Sequence, residues 1–177
     1  MSTNDFLPEG YEQPKTGGNY LKFEKGENRF RILSKPIVGW LDWDNNNKPL
    51  RFRMPDKPKP INPKKAVKHF WAFVVWDYKS ESIKVLEITQ SSIQSAITGL
   101  TRDGDWGSPF GYDIKVNKTG EGLDTEYTIN PVPHKEVSAE IKAAFAAKRV
   151  ELERLFDNED PFAVEAVPVG DDDDLPF

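Results

Sequence analysis

His69-Phe70-Trp71-Ala72-Phe73-Val74-Val75-Trp76 is a run of eight residues without glycine, proline or acid. Aromatic and β-branched side chains dominate it, so it predicts a strand, apolar on both faces. Phe70, Ala72, Val74 and Trp76 fall on one face; Trp71, Phe73 and Val75 fall on the other. Nothing in the residue order says which face points inward. Asp77 to Ser82 turns the chain, and Ile83-Lys84-Val85-Leu86-Glu87-Ile88 returns as the second arm of a hairpin. The period then changes. Ile93, Ala96, Ile97 and Leu100 stand at i, i+3, i+4 and i+7, which predicts a short amphipathic helix with Thr89, Ser91 or Ser92 as its cap.

Upstream, Asn28-Arg29-Phe30-Arg31-Ile32-Leu33 alternates with period two. It predicts a strand with Phe30 and Ile32 on a core face and Arg29 and Arg31 on a cationic face. Pro36 and Gly39 bend or interrupt it, and Trp40-Leu41-Asp42-Trp43 continues it. Asn45-Asn46-Asn47 is a turn, and Leu50-Arg51-Phe52-Arg53 repeats the alternation. Downstream, Arg102 to Pro109 is a Gly/Asp loop carrying Trp106. Tyr112, Ile114 and Val116 alternate with Asp113 and Lys115. Leu123, Thr125, Tyr127 and Ile129 alternate with Asp124, Glu126 and Thr128, and Asn117 to Gly122 joins the two strands. Pro131 and Pro133 stop the second. Residues 135–156 predict a longer helix with Val137, Ile141, Ala144, Phe145, Leu152, Leu155 and Phe156 on one stripe. That helix either packs on the sheet or mediates weak self-association.

Strand, strand hairpin, helix, strand hairpin is the element order of the oligonucleotide-binding (OB) fold. The expectation is a mainly β chain: a five-stranded Greek-key barrel with a short helix between strands three and four. Its strands are 28–43, 69–77, 83–88, 110–117 and 123–130. By domain, 1–19 is a flexible N-terminal arm and 20–134 the OB domain, in which 44–68 is a basic Pro/Lys-rich insertion. Residues 135–156 are the C-terminal helix and 157–177 a disordered acidic tail.

The net charge of −5 conceals a segregation. Between Lys15 and Lys118 there are 19 basic and 11 acidic residues, whereas 155–177 holds 8 acids and no base. The densest basic stretch, Lys48 to Lys68, carries eight basic residues and one acid, interleaved with Pro55, Pro58, Pro60 and Pro63, which favour extended chain. A basic body with an acidic tail suits a polyanion binder with a built-in competitor. There is no cysteine, which removes disulfides and thiolate zinc sites, and the two histidines, His69 and His134, lie far apart. No metal or other cofactor is expected. No apolar run is long enough to span a bilayer. No phosphate-cradling Gly loop, Ser/His pairing or metal set points to catalysis, so an enzyme is not expected.

The chain closes on Asp171-Asp172-Asp173-Asp174-Leu175-Pro176-Phe177. Four adjacent carboxylates repel one another and stay solvated. The Phe177 ring suits an apolar hole in a partner, with the partner's Lys or Arg around it. This tip resembles that of bacterial single-stranded-DNA-binding proteins, an Asp run closed by a hydrophobic residue, Pro and Phe. The body from about Gly17 to Pro133 resembles phage single-stranded-DNA-binding proteins. The stretches that carry this are Gly26 to Leu33, Gly39-Trp40 with Trp43, Lys68 to Phe73, Asp105-Trp106-Gly107, and Gly111 to Ile114. One branch of that family carries a structural zinc ribbon and a basic N-terminal arm; this chain has neither the cysteines nor the basic arm.

The resemblance implies a cleft that binds single strands, in a protein that coats and protects single-stranded DNA during phage DNA replication, recombination and repair. It also implies a soluble protein in the cytoplasm of the infected bacterial host. The tip would recruit replication or recombination proteins such as a polymerase, helicase, primase or nuclease, and would compete with DNA for the basic cleft. Such a cleft needs cations along phosphates and aromatic faces under bases. The phosphate candidates are Arg29, Arg31, Arg51, Arg53, Lys57, Lys59, Lys64, Lys65, Lys68 and Lys115. The stacking candidates are Trp40, Trp43, Phe52, Trp71, Phe73, Trp106 and Tyr112, some of which a small barrel needs for its core. Trp43 and Trp106, in loops, are the better contacts. Two other readings stand beside this one. One is a non-catalytic OB-fold adaptor or DNA-mimic regulator of a replication enzyme, acting through protein contacts. The other is an RNA-binding barrel.

Overall fold

In the computed structural model, residues 18–162 are described. The strands are β1 (Gly26–Ile32), β2 (Ile37–Trp43), β3 (Pro49–Arg53), β4 (Lys68–Asp77), β5 (Ser82–Ile88), β6 (Asp113–Thr119) and β7 (Glu126–Pro131). The helices are α1 (Ser91–Arg102) and α2 (Ala139–Ala147), and 3-10 turns cover Pro109–Gly111, Gly122–Asp124 and Leu152–Asp157. The predicted order of hairpin, helix and hairpin is present.

β4 is the axis of the sheet. One of its edges pairs antiparallel with β5, from Trp71↔Ile88 to Asp77↔Ser82. The other edge pairs first with β2, from Ile37↔Ala72 to Leu41↔Lys68, and then with β1, from Phe30↔Asp77 to Ile32↔Val75. The predicted long first strand is thus two strands on one partner. Pro36, which lacks an N–H, sits at the break. There Leu33 N donates to Val74 O, and the Ser34 hydroxyl accepts from Val74 N, so the ladder's polar groups stay satisfied. β1 also pairs with β6, and β6 with β7, all antiparallel.

Two further differences from the expected barrel have local causes. Residues 50–53, expected to belong to an insertion, form β3, which pairs with β2 as an edge strand. Gly39 permits that hairpin: a Cβ there would lie 2.2 Å from the Phe52 carbonyl oxygen. Among the described residues the seven-stranded sheet does not close, because β5 and β7 form no ladder. Instead the outer edge of β5 is met by the chain at 19–21: Val85 N donates to Asn19 O and Leu21 N to Val85 O. α1 lies against β7.

From Ala72 to Asp77 both faces of β4 are buried, as its composition predicts. Phe73 and Val75 pack with Phe30, Ile32, Leu86, Ile88, Tyr112, Ile114 and Val116 under α1, which contributes Ile93 and Ile97. Phe70, Ala72, Val74 and Trp76 face the other way and are covered by the chain from Val137 to Phe162. α1 begins without a side-chain cap, its N-cap being Gln90 rather than Thr89, Ser91 or Ser92. The Gln94 amide instead donates to the carbonyls of Ile88 and His69, tying the first turn to the sheet.

The expected helix over 135–156 is shorter. Ser138 caps α2 by accepting from Ile141 N, and the helix ends at Ala147. Ile141 and Val137 pack beside Leu33, Val74 and Trp76, whereas Leu155 and Phe156 reach the patch around Leu41, Phe70 and Ala72. The apolar residues that a single stripe was to collect serve two patches of the sheet, and the chain leaves the helix between them. The expected strand beginning at 123 also starts later: Leu123 is fully exposed in a 3-10 turn, and β7 begins at Glu126.

Candidate nucleic-acid interface

Strand alternation and register decide which candidate side chains can meet one ligand. Trp40 stands opposite both Phe52 on β3 and His69 on β4, and Val38 stands opposite Trp71. Paired residues point to the same side of a sheet. Trp40, Phe52, His69, Val38 and Trp71 therefore share the face that carries α1, extending it beyond the packed core toward the β2–β3 hairpin. Trp40, Phe52, His69 and Trp71 are each partly exposed, and Val38 is exposed. The Trp40 and His69 rings lie 5.2 Å apart between centroids.

The lysine-rich loop lies over this row. Asp42, fully buried, accepts a hydrogen bond from Ile61 N through one carboxylate oxygen, 3.0 Å away. That bond pins the middle of the loop to β2. The Lys57 ammonium sits 5.3 Å from the centre of the Trp40 ring, a cation–π contact. Lys65 reaches the Asn47 side chain. Lys57, Lys59, Lys64, Lys65 and Lys68 are all exposed, and none forms an ion pair among the described residues. Trp40 Nε1 and the second Asp42 oxygen are buried and find no hydrogen-bond partner among the described residues.

The four candidate arginines are elsewhere. Arg29 and Arg31 project from the opposite face of β1 onto Asp113. Arg29 Nη2 lies 2.6 Å and Arg31 Nη1 3.1 Å from its two oxygens, and the Tyr78 hydroxyl donates to it at 2.8 Å. Arg31 is fully buried and donates as well to the carbonyls of Phe110 and Lys135, so it is a core residue rather than a phosphate contact. Burial pushes the Asp113 carboxyl up, but hydrogen bonds from Arg29, Tyr78 and Arg31 outweigh it and hold the group below its ordinary range. Burial, then the hydrogen bond to Asp113, pushes the Tyr78 phenol up to about 12. Arg51 pairs with Glu87 at 2.7 Å, and Arg53 pairs with Glu153 and lies over the Phe156 ring. Lys115 pairs with Glu27 at 3.4 Å. Each of these cations is engaged with an acid of the chain itself.

The aromatic candidates divide in the same way. Phe73 and Tyr112 are buried in the core under α1, so neither offers an exposed ring face on the sheet surface. Trp43, three residues beyond Trp40, faces the other side and packs against the patch that holds Leu41 and Phe70. Trp106 is partly buried: it packs against Tyr112, and the His134 imidazole stacks on it at 5.5 Å. The two tryptophans expected in loops are therefore anchored ones. The candidate tip, Asp171, Asp172, Asp173, Asp174, Leu175, Pro176 and Phe177, lies outside the described residues.

The face also holds residues that periodicity alone does not single out. His69 reads in the sequence only as the start of a strand, and Val38 carries no signal of its own. Their register opposite Trp40 and Trp71 is what reveals them. Lys35 and Arg102, isolated in sequence, flank Trp71 at the end of the row, where both line one apolar pocket. Among the described residues no cluster of His, Cys, Asp or Glu is arranged to hold a metal. No helix there is long and apolar enough to cross a membrane.

A probable ssDNA-binding protein of Escherichia phage T5 is 27% identical to this chain over 151 residues, covering 66% of this chain and 58% of that protein. The chain thus spans less than two thirds of that relative's length. No family model matches the chain, and no solved structure does.

Proposed function

We propose that this chain binds single-stranded DNA along the Trp71–Trp40–Phe52 face and does no chemistry on it. The observation that carries the reading is the Lys57–Trp40–His69 arrangement: a lysine loop that forms no ion pair among the described residues, pinned over partly exposed aromatic rings. Strand binding without sequence preference asks for cations along the backbone and π-faces under the bases. The phage relative's name supports the same ligand. The phosphate contacts in this reading are Lys57, Lys59, Lys64 and Lys65, whereas Lys68, opposite Leu41 in the β2–β4 ladder, points to the other side of the sheet; the stacking residues are Trp40, Phe52 and Trp71, with His69 beside them.

The β-sheet in this reading is an OB-type barrel opened at β5, with β1 and β2 as the two halves of its first strand. The protein coats and protects single strands during phage DNA replication, recombination and repair in the host cytoplasm. The 171–177 tip recruits replication or recombination proteins. Fluorescence anisotropy with a single strand, a duplex and an RNA of equal length tests the ligand class. Preference for the DNA strand supports the reading; equal or weaker binding than to duplex removes it.

A further inference from the structure

The aromatic row ends at a pocket. Trp71 and Phe73 from β4, Ile97 from α1, and Phe110 wall a cavity of about 400 Å³ beside the break between β1 and β2. Its volume is that of a small-ligand site, on the order of 300–1,000 Å³. The charged groups that line it are Lys35 and Arg102, both exposed, and among the described residues no acid lines it. Neither cation forms an ion pair among the described residues. Two α1 hydroxyls line the cavity as well. Thr98 Oγ1 donates to Gln94 O at 2.8 Å and Thr101 Oγ1 to Ile97 O at 2.9 Å, so each offers only acceptor capacity.

We infer that this pocket takes one nucleobase of the bound strand, unstacked from its neighbours and inserted edge-first beside Trp71. The inference rests on the proposed function, because the strand must already lie along the Trp40 row that Trp71 continues. An apolar slot fits a planar ring and rejects a phosphate. Lys35 and Arg102 stand where the flanking phosphates pass. Acceptor hydroxyls suit the Watson–Crick edge of an unstacked base, where every nucleobase carries an N–H donor, N3–H in thymine. Any base enters, so the pocket fixes the strand's register without fixing its sequence.

The test measures binding of oligo(dT) and of an equally long abasic strand to the full chain and to its Thr98→Phe variant, whose added ring fills the slot. The inference predicts about tenfold weaker oligo(dT) binding for the variant, the scale of one base stack removed. It predicts no change for the abasic strand. Thr101→Gln, at the mouth, repeats the test should Thr98→Phe lose its cooperative melt. If the wild-type chain binds oligo(dT) and both variants bind it equally well, the pocket is overturned and strand binding stands. If the variants weaken abasic and dT strands alike, the effect is on the backbone and the pocket is likewise overturned. If the wild-type chain does not bind oligo(dT), the proposed function itself falls.

Discussion

Trp40 and His69 stand directly opposite each other in the β2–β4 ladder, with ring centroids 5.2 Å apart and Lys57 over the indole. Three residues from three segments thus meet on one partly exposed patch. Replacing Trp40 with Ala removes both the π-face and the cation's seat. We expect single-strand affinity to fall by about 1–3 kcal/mol, the usual worth of one base stack. Titration of the variant with oligo(dT) checks this, and a melt checks that β2 still pairs.

The lysines of the loop and the arginines of the strands make opposite predictions. Lys57, Lys59, Lys64 and Lys65 are exposed and form no ion pair among the described residues, so their joint replacement by Gln leaves stability within about 0.5 kcal/mol per site. The same change flattens the slope of log K against log salt by about 0.7 for each phosphate no longer neutralised. Arg51, paired with Glu87, behaves the other way: Arg51→Gln costs stability and leaves the salt slope as it was.

Asp113 ties β6 to β1 through Arg29 and Arg31 and to β4's end through Tyr78. Removing one partner of a buried pair costs about 3–5 kcal/mol, so Asp113→Asn lowers the melting temperature sharply. The folded-state pKa lies below the ordinary value of 3.8. The carboxylate's contribution is therefore full above that value and is lost as pH falls through the lower folded one. Urea unfolding across pH 2–6 (roughly the span of carboxylate titration) shows a steep acid limb in the wild type and a shallower one in Asp113→Asn.

The acidic run at 171–174 carries charge opposite to the loop's. A short tether holds such a segment at an effective concentration on the order of mM, enough for weak pairing to matter. Deleting 170–177 should tighten DNA binding at low salt, and the gain should vanish as salt screens the competition. Equal affinity of the two forms at low salt would leave the run with recruitment alone.

Periodicity made much of this fold legible. The double-apolar β4, the β4–β5 hairpin and the Ile93/Ile97 face of α1 all follow from local spacing. What stayed hidden was set by partners far along the chain. Arg29 and Arg31 alternate like a free cationic face, yet their acid lies more than 80 positions on, and Arg53's lies 100 positions on. Trp40 and Trp43 look equivalent in sequence; a separation of three on a strand sends them to opposite faces. Which face of β4 remained accessible depended on the 137–162 segment, whose apolar residues read equally well as one long helix.

The most direct measurement is oligo(dT) titration followed by tryptophan fluorescence, in the wild type and in a Trp40→Phe/Trp71→Phe double variant, across a salt series. The account predicts quenching in the wild type with a linear fall of log K in log salt. It predicts that most of the quenching disappears in the double variant while binding persists, since Trp43 and Trp76 face the other side of the sheet and the Trp106 ring is engaged by Tyr112 and His134. Unchanged quenching in the double variant, or no binding at low salt, would contradict it.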